Sequence, residues 1–200
     1  LDLIECAIEE KADAIFVHHG IFWDNEAKTI TGARRRKIAL LLNHNINLFG
    51  YHLPLDDHPD VGNNVELGKI LGIKNMQPVK DSLLWQGELK SNLSDFLKLI
   101  EEKLDRAPQI FGRQEGAIKK IAWCTGGAQG FIDDAISLNV DLYLSGEVSE
   151  KTPAAAKENN ITFISAGHHA TERYGVQALC KHLCAKFKLQ HQYIEVENSV

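Results

Sequence analysis

The sequence predicts an α/β protein: mainly parallel or mixed sheets flanked by helices, in two lobes, with a metal site at the carboxyl ends of strands. Three observations predict it. Short apolar runs alternate with amphipathic stretches along most of the 200 residues, the rhythm of βαβ units. The run Ala14-Ile15-Phe16-Val17 ends in His18-His19-Gly20, and imidazole is the commonest side-chain metal ligand. Two later strand-to-helix junctions are again rich in His and carboxylates, and open α/β sheets bind ligands at the carboxyl ends of their strands.

The elements follow in order. Residues 2–11 carry apolar and charged side chains at helical spacing, and residues 14–18 read as a strand. A polar loop, 20–32, leads to a helix over 33–44 with Ile38, Leu40, Leu41 and Leu42 apolar. A strand over 46–51 precedes a polar loop and a helix from Asn64 to Leu71. A strand is expected over 83–89 and a helix over 92–104, carrying Leu93, Phe96, Leu97, Ile100 and Leu104. A second series starts with strand 119–124 and continues through a glycine turn, helix 130–138, strand 140–144, helix 151–158, strand 161–165 and helix 171–186. A last strand is expected over 191–196. The division is placed near Pro78, giving a first lobe over 1–80 and a second over 81–200 that returns to the metal site. The chain opens at Leu1, already inside a helical pattern, so a preceding segment is expected.

Composition narrows the class. Hydrophobic residues make up 44% and charged residues 24%, ordinary for a globular domain. The net charge of −5 argues against a nucleic-acid partner, which needs a basic footprint. The one basic run, Arg34-Arg35-Arg36-Lys37, reads as a solvated helix face. No apolar stretch is long enough for a membrane span. Cys6, Cys124, Cys180 and Cys184 form no Cys-x-x-Cys pattern and read as free thiols, which points to a reducing cytoplasm.

Three clusters carry the candidate chemistry. The first is His18-His19, where Gly20 lets the backbone turn so that both rings reach one place. The second follows strand 46–51: His52, Asp56, Asp57 and His58 in a loop stiffened by Pro54 and Pro59. Mixed imidazole and carboxylate donors suit zinc, iron, manganese or nickel better than calcium. The third follows strand 161–165. Either His168 or His169 lies three or four residues before Glu172, on one side of a helix's first turn. In a parallel sheet these strand ends share one edge. Gly126, Gly127 and Gly130 read as a tight βα turn, and Glu147 and Glu150 follow strand 140–144 toward the same edge, where either could serve as a base.

The strings VHHGIFWD, GYHLPLDDHPDVGNN, WCTGGAQGFIDDA, LSGEVSE and SAGHHATERYGVQAL resemble the NIF-three-like family, whose bacterial members carry the label of GTP cyclohydrolase 1 type 2 homologues. The resemblance covers nearly the whole chain. It implies a centre of two divalent metal ions, two α/β lobes per subunit and a homo-oligomer in the form of a hexameric ring. The ligands it implies are His18, His19, Asp56, His168 and Glu172, with Asp56 and Glu172 as bridging carboxylates. His52, Asp57, His58 and His169 are then expected around them or facing substrate. The activity implied is hydrolysis through a metal-activated water, on a small-molecule substrate of the nucleotide kind. The alternative is a metal-bearing hexameric scaffold that regulates by interaction.

Overall fold

The computed structural model describes residues 1–200. Its elements run α1 (Asp2–Glu9), β1 (Ala14–Val17), α2 (Gly32–Asn43), β2 (Asn47–Gly50), α3 (Leu53–Asp57), α4 (Asn63–Ile70), β3 (Lys74–Pro78) and β4 (Trp85–Asn92). They continue α5 (Leu93–Leu104), β5 (Gln109–Gly112), β6 (Ala117–Trp123), α6 (Ile132–Ser137), β7 (Leu142–Ser145), α7 (Thr152–Glu158), β8 (Thr162–Ser165) and α8 (His168–Phe187). The α/β class and the mixed sheets are as the sequence predicts.

The strands form two sheets. β1 and β2 pair in parallel, from Ala14 against Asn47 to Val17 against Gly50. The other six lie in the order β3-β4-β6-β7-β8-β5. β6, β7 and β8 run parallel at its centre. β4 on one side and β5 on the other pair antiparallel to them, and β3 pairs antiparallel to β4.

The central strands are buried on both faces, and their period of two sorts the core. Ile121, Trp123, Leu142, Leu144 and Ile164 face one way, onto α4, α5 and α8. Ala122, Cys124, Tyr143 and Phe163 face the other, onto α6 and α7. Helix α5 shows how the pattern is written: Leu93, Phe96, Ile100 and Leu104 recur at helical spacing and are all buried. Asn92 caps the same helix, its side chain accepting from the Asp95 N–H at 2.9 Å. Fully burying side chains of this size contributes about 1.5–3 kcal/mol each. A separate cluster of Ile4, Ala7, Ile15, Leu41 and Ile46 holds α1, β1, α2 and β2 together.

Four features differ from the sequence expectation. The site-bearing strand ends do not share one sheet edge: β1 and β2 belong to the small sheet and β8 to the large one. Residues 191–196 form no strand, although Ile194 and Val196 alternate with polar Glu195 and Glu197. The edge beside β8 is taken by β5, and the tail is held instead by Glu195, paired to His169 and Arg173 of α8. β3 and β5 appear where no strand is expected. Both are short edge strands, and β3, Lys-Asn-Met-Gln-Pro, has almost no apolar content to announce it. The loop after β2 contains the short helix α3, started by Pro54 in its first turn, where proline's missing N–H costs nothing.

Candidate metal centre

The carboxyl ends of β1, β2, β6 and β8 meet around one buried point. His18 follows β1 and is 7% exposed. Its Nδ1 lies 3.0 Å from the Tyr51 carbonyl, just past β2. A carbonyl only accepts, so Nδ1 carries the proton and Nε2 turns inward. There Nε2 lies 3.4 Å from Asp56 Oδ2 and 3.5 Å from Glu172 Oε2. His19 sits beside it, ring centroids 4.7 Å apart, with Nε2 3.2 Å from the same Glu172 oxygen.

Asp56 is buried in α3, where Oδ1 accepts from Asn63 Nδ2 at 2.9 Å and from Thr125 Oγ1 at 3.2 Å. His168 opens α8 and Glu172 lies one turn on, so the two share a helix face; His168 Nε2 is 2.9 Å from Glu172 Oε2. The other ring nitrogen, Nδ1, is 2.6 Å from Glu147 Oε1. Gly126, at the end of β6, lets Glu172 in. Its φ is +67°, and a Cβ there would stand 1.8 Å from Glu172 Oε1. Any side chain at this position would push the carboxylate out.

All five residues named from the sequence therefore meet. They fall into two sets of donors within 4.8 Å of one another: His18, Asp56 and Glu172, all buried, and His19, His168 and Glu172, more open. Glu172 belongs to both. A third set, His18, His19 and His52, adds His52 at the rim, its ring 5.1 Å from that of His18. Trp23 stands edge-on to His52 at 4.9 Å between centroids.

The other named residues lie elsewhere. His169 turns away and meets Glu195 of the tail at 2.6 Å. His58 accepts from the Asp60 N–H at 3.2 Å in a local turn, and Asp57 and Glu150 are exposed. Sequence reasoning missed Asn63, Thr125 and Trp23. All three lie inside the strings that carry the family resemblance, but nothing in their residue type announces a role.

The electrostatics favour positive charge at this point. The Glu172 carboxylate, with Glu147, holds the His168 imidazole up at about 9 despite its burial. His18 is also raised: burial opposes the cation, and Glu172 and Asp56 outweigh it. Burial would lift Glu172, yet His168 and His18 bring it down to about 2. His19 goes the other way, lowered to about 4 by burial and by the neighbouring imidazoles. Burial raises Asp56 and pushes the neighbouring Cys124 thiol up to about 12, which keeps that sulfur protonated and inert.

Comparison with known proteins gives the family. A protein of Allochromatium vinosum named GTP cyclohydrolase 1 type 2 homolog is 48% identical over 200 residues, covering 98% of this chain and 79% of its own. A solved structure of the protein ybgI, described as of unknown function, superposes with a TM-score of 0.94 at 41% identity, covering 100% of this chain and 81% of its own. A structure from Thermus thermophilus gives 0.91 at 28% identity, covering 99% and 80%. The profile of the Duf34/NIF3 family (NGG1p interacting factor 3) matches residues 1–199, and the chain belongs to that family.

Proposed function

We propose that this chain holds two divalent metal ions in the two donor sets that share Glu172 and acts with them as a hydrolase. One observation carries the reading. His18 Nε2, His168 Nε2 and Glu172 Oε2 are buried, converge on one point and have no hydrogen-bond partner outside the cluster itself. A buried polar atom left unpaired costs roughly 1–3 kcal/mol, and cations placed among these three would satisfy them together. The donors are imidazole nitrogens and carboxylate oxygens, the mixture that zinc, iron, manganese and nickel accept.

His18, Asp56 and Glu172 would hold one ion, and His19, His168 and Glu172 the other. Glu172 is the carboxylate common to both sets and would be shared between the ions, while Asp56 falls in one set. Divalent ions in such a centre supply Lewis acidity and make water a nucleophile near neutral pH. The chain's own groups prepare the donors. The Tyr51 carbonyl and Glu147 hold protons on the Nδ1 atoms of His18 and His168, leaving both Nε2 lone pairs inward. Trp23 and His52 flank the His19 ring, at 5.6 and 5.4 Å between centroids.

The side chain of His19 is 43% exposed and that of His168 26%, so the centre is open on one side. That favours a hydrolase over a scaffold, whose structural metal would be closed off. The name of the bacterial relatives points to a nucleotide such as GTP as the first substrate to test. The same reading includes a homo-oligomer, a hexameric ring in the cytoplasm. Phe49, Tyr51 and Leu53, between 42% and 50% exposed, are apolar surface that contacts between copies would cover. The test is elemental analysis joined to a hydrolysis screen of the metal-loaded protein, with light scattering for the oligomer. The reading expects about two ions per chain and turnover that a chelator abolishes. Protein that binds no divalent metal would overturn it, and bound metal with no turnover would favour the scaffold.

A further inference from the structure

The two carboxylates of the centre are not held alike. Glu172 Oε2 has three imidazole nitrogens around it, at 2.9, 3.2 and 3.5 Å, and no amide or hydroxyl donor. Asp56 Oδ1 has two donors already, Asn63 Nδ2 at 2.9 Å and Thr125 Oγ1 at 3.2 Å. A carboxylate oxygen offers about two lone-pair sites, so Oδ1 is filled. Oδ2 lies toward His18 Nε2 at 3.4 Å.

The orientation of the Asn63 amide is forced. Asn63 is fully buried at the start of α4. Its Oδ1 accepts from the Gly175 N–H of α8 at 2.8 Å, and a backbone N–H can only donate. The amide nitrogen therefore has to face Asp56. Gly175 is the residue that permits this approach: a Cβ there would stand 2.6 Å from Asn63 Oδ1. One buried amide thus joins α3, α4 and α8, the helices that carry Asp56, Asn63 and Glu172.

We propose that Asn63, together with Thr125, is a positioning residue that occupies Asp56 Oδ1, leaving Oδ2 as the single coordinating oxygen and restricting Asp56 to the ion on the His18 side. The centre then has two unequal positions. The His18 position is preset by neutral donors behind its carboxylate. None of the three donors of the His19 position is hydrogen-bonded to Asn63, whose amide nitrogen faces Asp56 and His18. This rests on the metal-centre reading.

The experiment is a Co2+ titration of wild type, Thr125→Val and Asn63→Leu, followed by visible absorption and by elemental analysis after desalting. Metal-free melts of all three report the fold. Thr125→Val keeps shape and removes one donor; Asn63→Leu removes the other and the link to Gly175. Partners of metal ligands typically count for 10–100-fold in affinity. One of the two Co2+ affinities should weaken by about 10-fold in Thr125→Val and by about 100-fold in Asn63→Leu, with a changed absorption band, while the other stays within about twofold. Should Asn63→Leu fail to fold, Thr125→Val decides alone. Equal weakening of both positions, or wild-type affinity at both in a folded variant, overturns the inference and leaves the metal centre standing. Wild-type protein that takes up no Co2+ overturns the metal centre itself, and with it this assignment.

Discussion

The buried and the open halves of the donor cluster start from adjacent residues and end in different environments. His18 is 7% exposed and its partner Asp56 4%, and both have a second atom fixed by the surrounding backbone or amides. The side chain of His19 is 43% exposed and has no such tether, and its set-mate His168 is steered by one half-exposed carboxylate, Glu147. On the metal reading, the first half is built to retain an ion and the second to leave room beside one. Glu172 is where the two meet, which makes it the first place to break the comparison.

Glu172→Gln should have the largest effect. It removes the oxygen common to both donor sets and leaves two buried imidazoles that now depend on it for charge. Loss of both ions is expected, by more than the roughly 100-fold that an outer partner accounts for. Elemental analysis after dialysis checks it, and retention of even one ion at wild-type affinity would show that the halves do not share a ligand.

Asp56→Asn and His19→Ala should separate the halves. Each is expected to lose about one ion of the pair, Asp56→Asn from the buried side and His19→Ala from the open side, and both should end hydrolysis if the two ions act together. His52→Ala, at the rim, should cost about 10–100-fold in activity with both ions kept. Metal content against rate for the three variants gives the answer. Normal turnover by Asp56→Asn with metal bound would falsify the hydrolase assignment.

The pH dependence sharpens the same contrast. His168 is raised to about 9, so near neutral pH it is a cation until metal replaces its proton. Uptake at the open half should release a proton, and affinity should fall about tenfold for each pH unit below 9 for each proton displaced. In metal-free protein, the His168–Glu172 pair stabilises fully below the unfolded imidazole value of about 6.5 and is lost as pH rises through about 9. Glu172, lowered to about 2, contributes above about 4.5 and loses its contribution as pH falls toward 2. His19, lowered to about 4, pulls the other way, its neutral-form stability fading from about 6.5 down to 4. Metal-free melts should therefore peak near pH 6.5 and soften on both sides. A monotonic rise to pH 9 would contradict the paired His168.

Much of this was legible in the chain. Residue type and position after apolar runs mark the three clusters, because strand ends and first helical turns are geometrically predictable, while the choice of five donors within them is what the family resemblance implies. The central strands and α5 announce themselves by period. What the sequence did not carry is the partner of each strand: nothing in Ala14–Val17 says that it pairs only with Asn47–Gly50 and stays out of the sheet that bears His168. Edge strands such as Lys74–Pro78 leave no apolar trace because one of their sides needs no burial. Asn63 and Thr125 were invisible for a related reason. Their role depends on which carboxylate oxygen they touch, and that is decided by three helices meeting.

The smallest effect is expected at His169, and it tests the geometry that put the other four imidazoles where they are. Both histidine pairs are adjacent in sequence, yet 18 and 19 enter the cluster together while 168 and 169 part. His18 and His19 follow a strand that ends, so the chain is free to turn and bring both rings to the same point. His168 and His169 start a helix, whose 3.6 residues per turn set neighbours about 100° apart, so one faces Glu172 and the other cannot. His169 points instead at Glu195, an exposed pairing worth at most about 1 kcal/mol. His169→Gln should thus keep both ions with affinities within about twofold, well short of the 10–100-fold effect of an outer partner of the metals. His168→Gln, its neighbour, should lose the ion of the open half. Equal metal loss in the two variants would mean that the first turn of α8 is wound differently from this description, and the division into a buried and an open half would go with it.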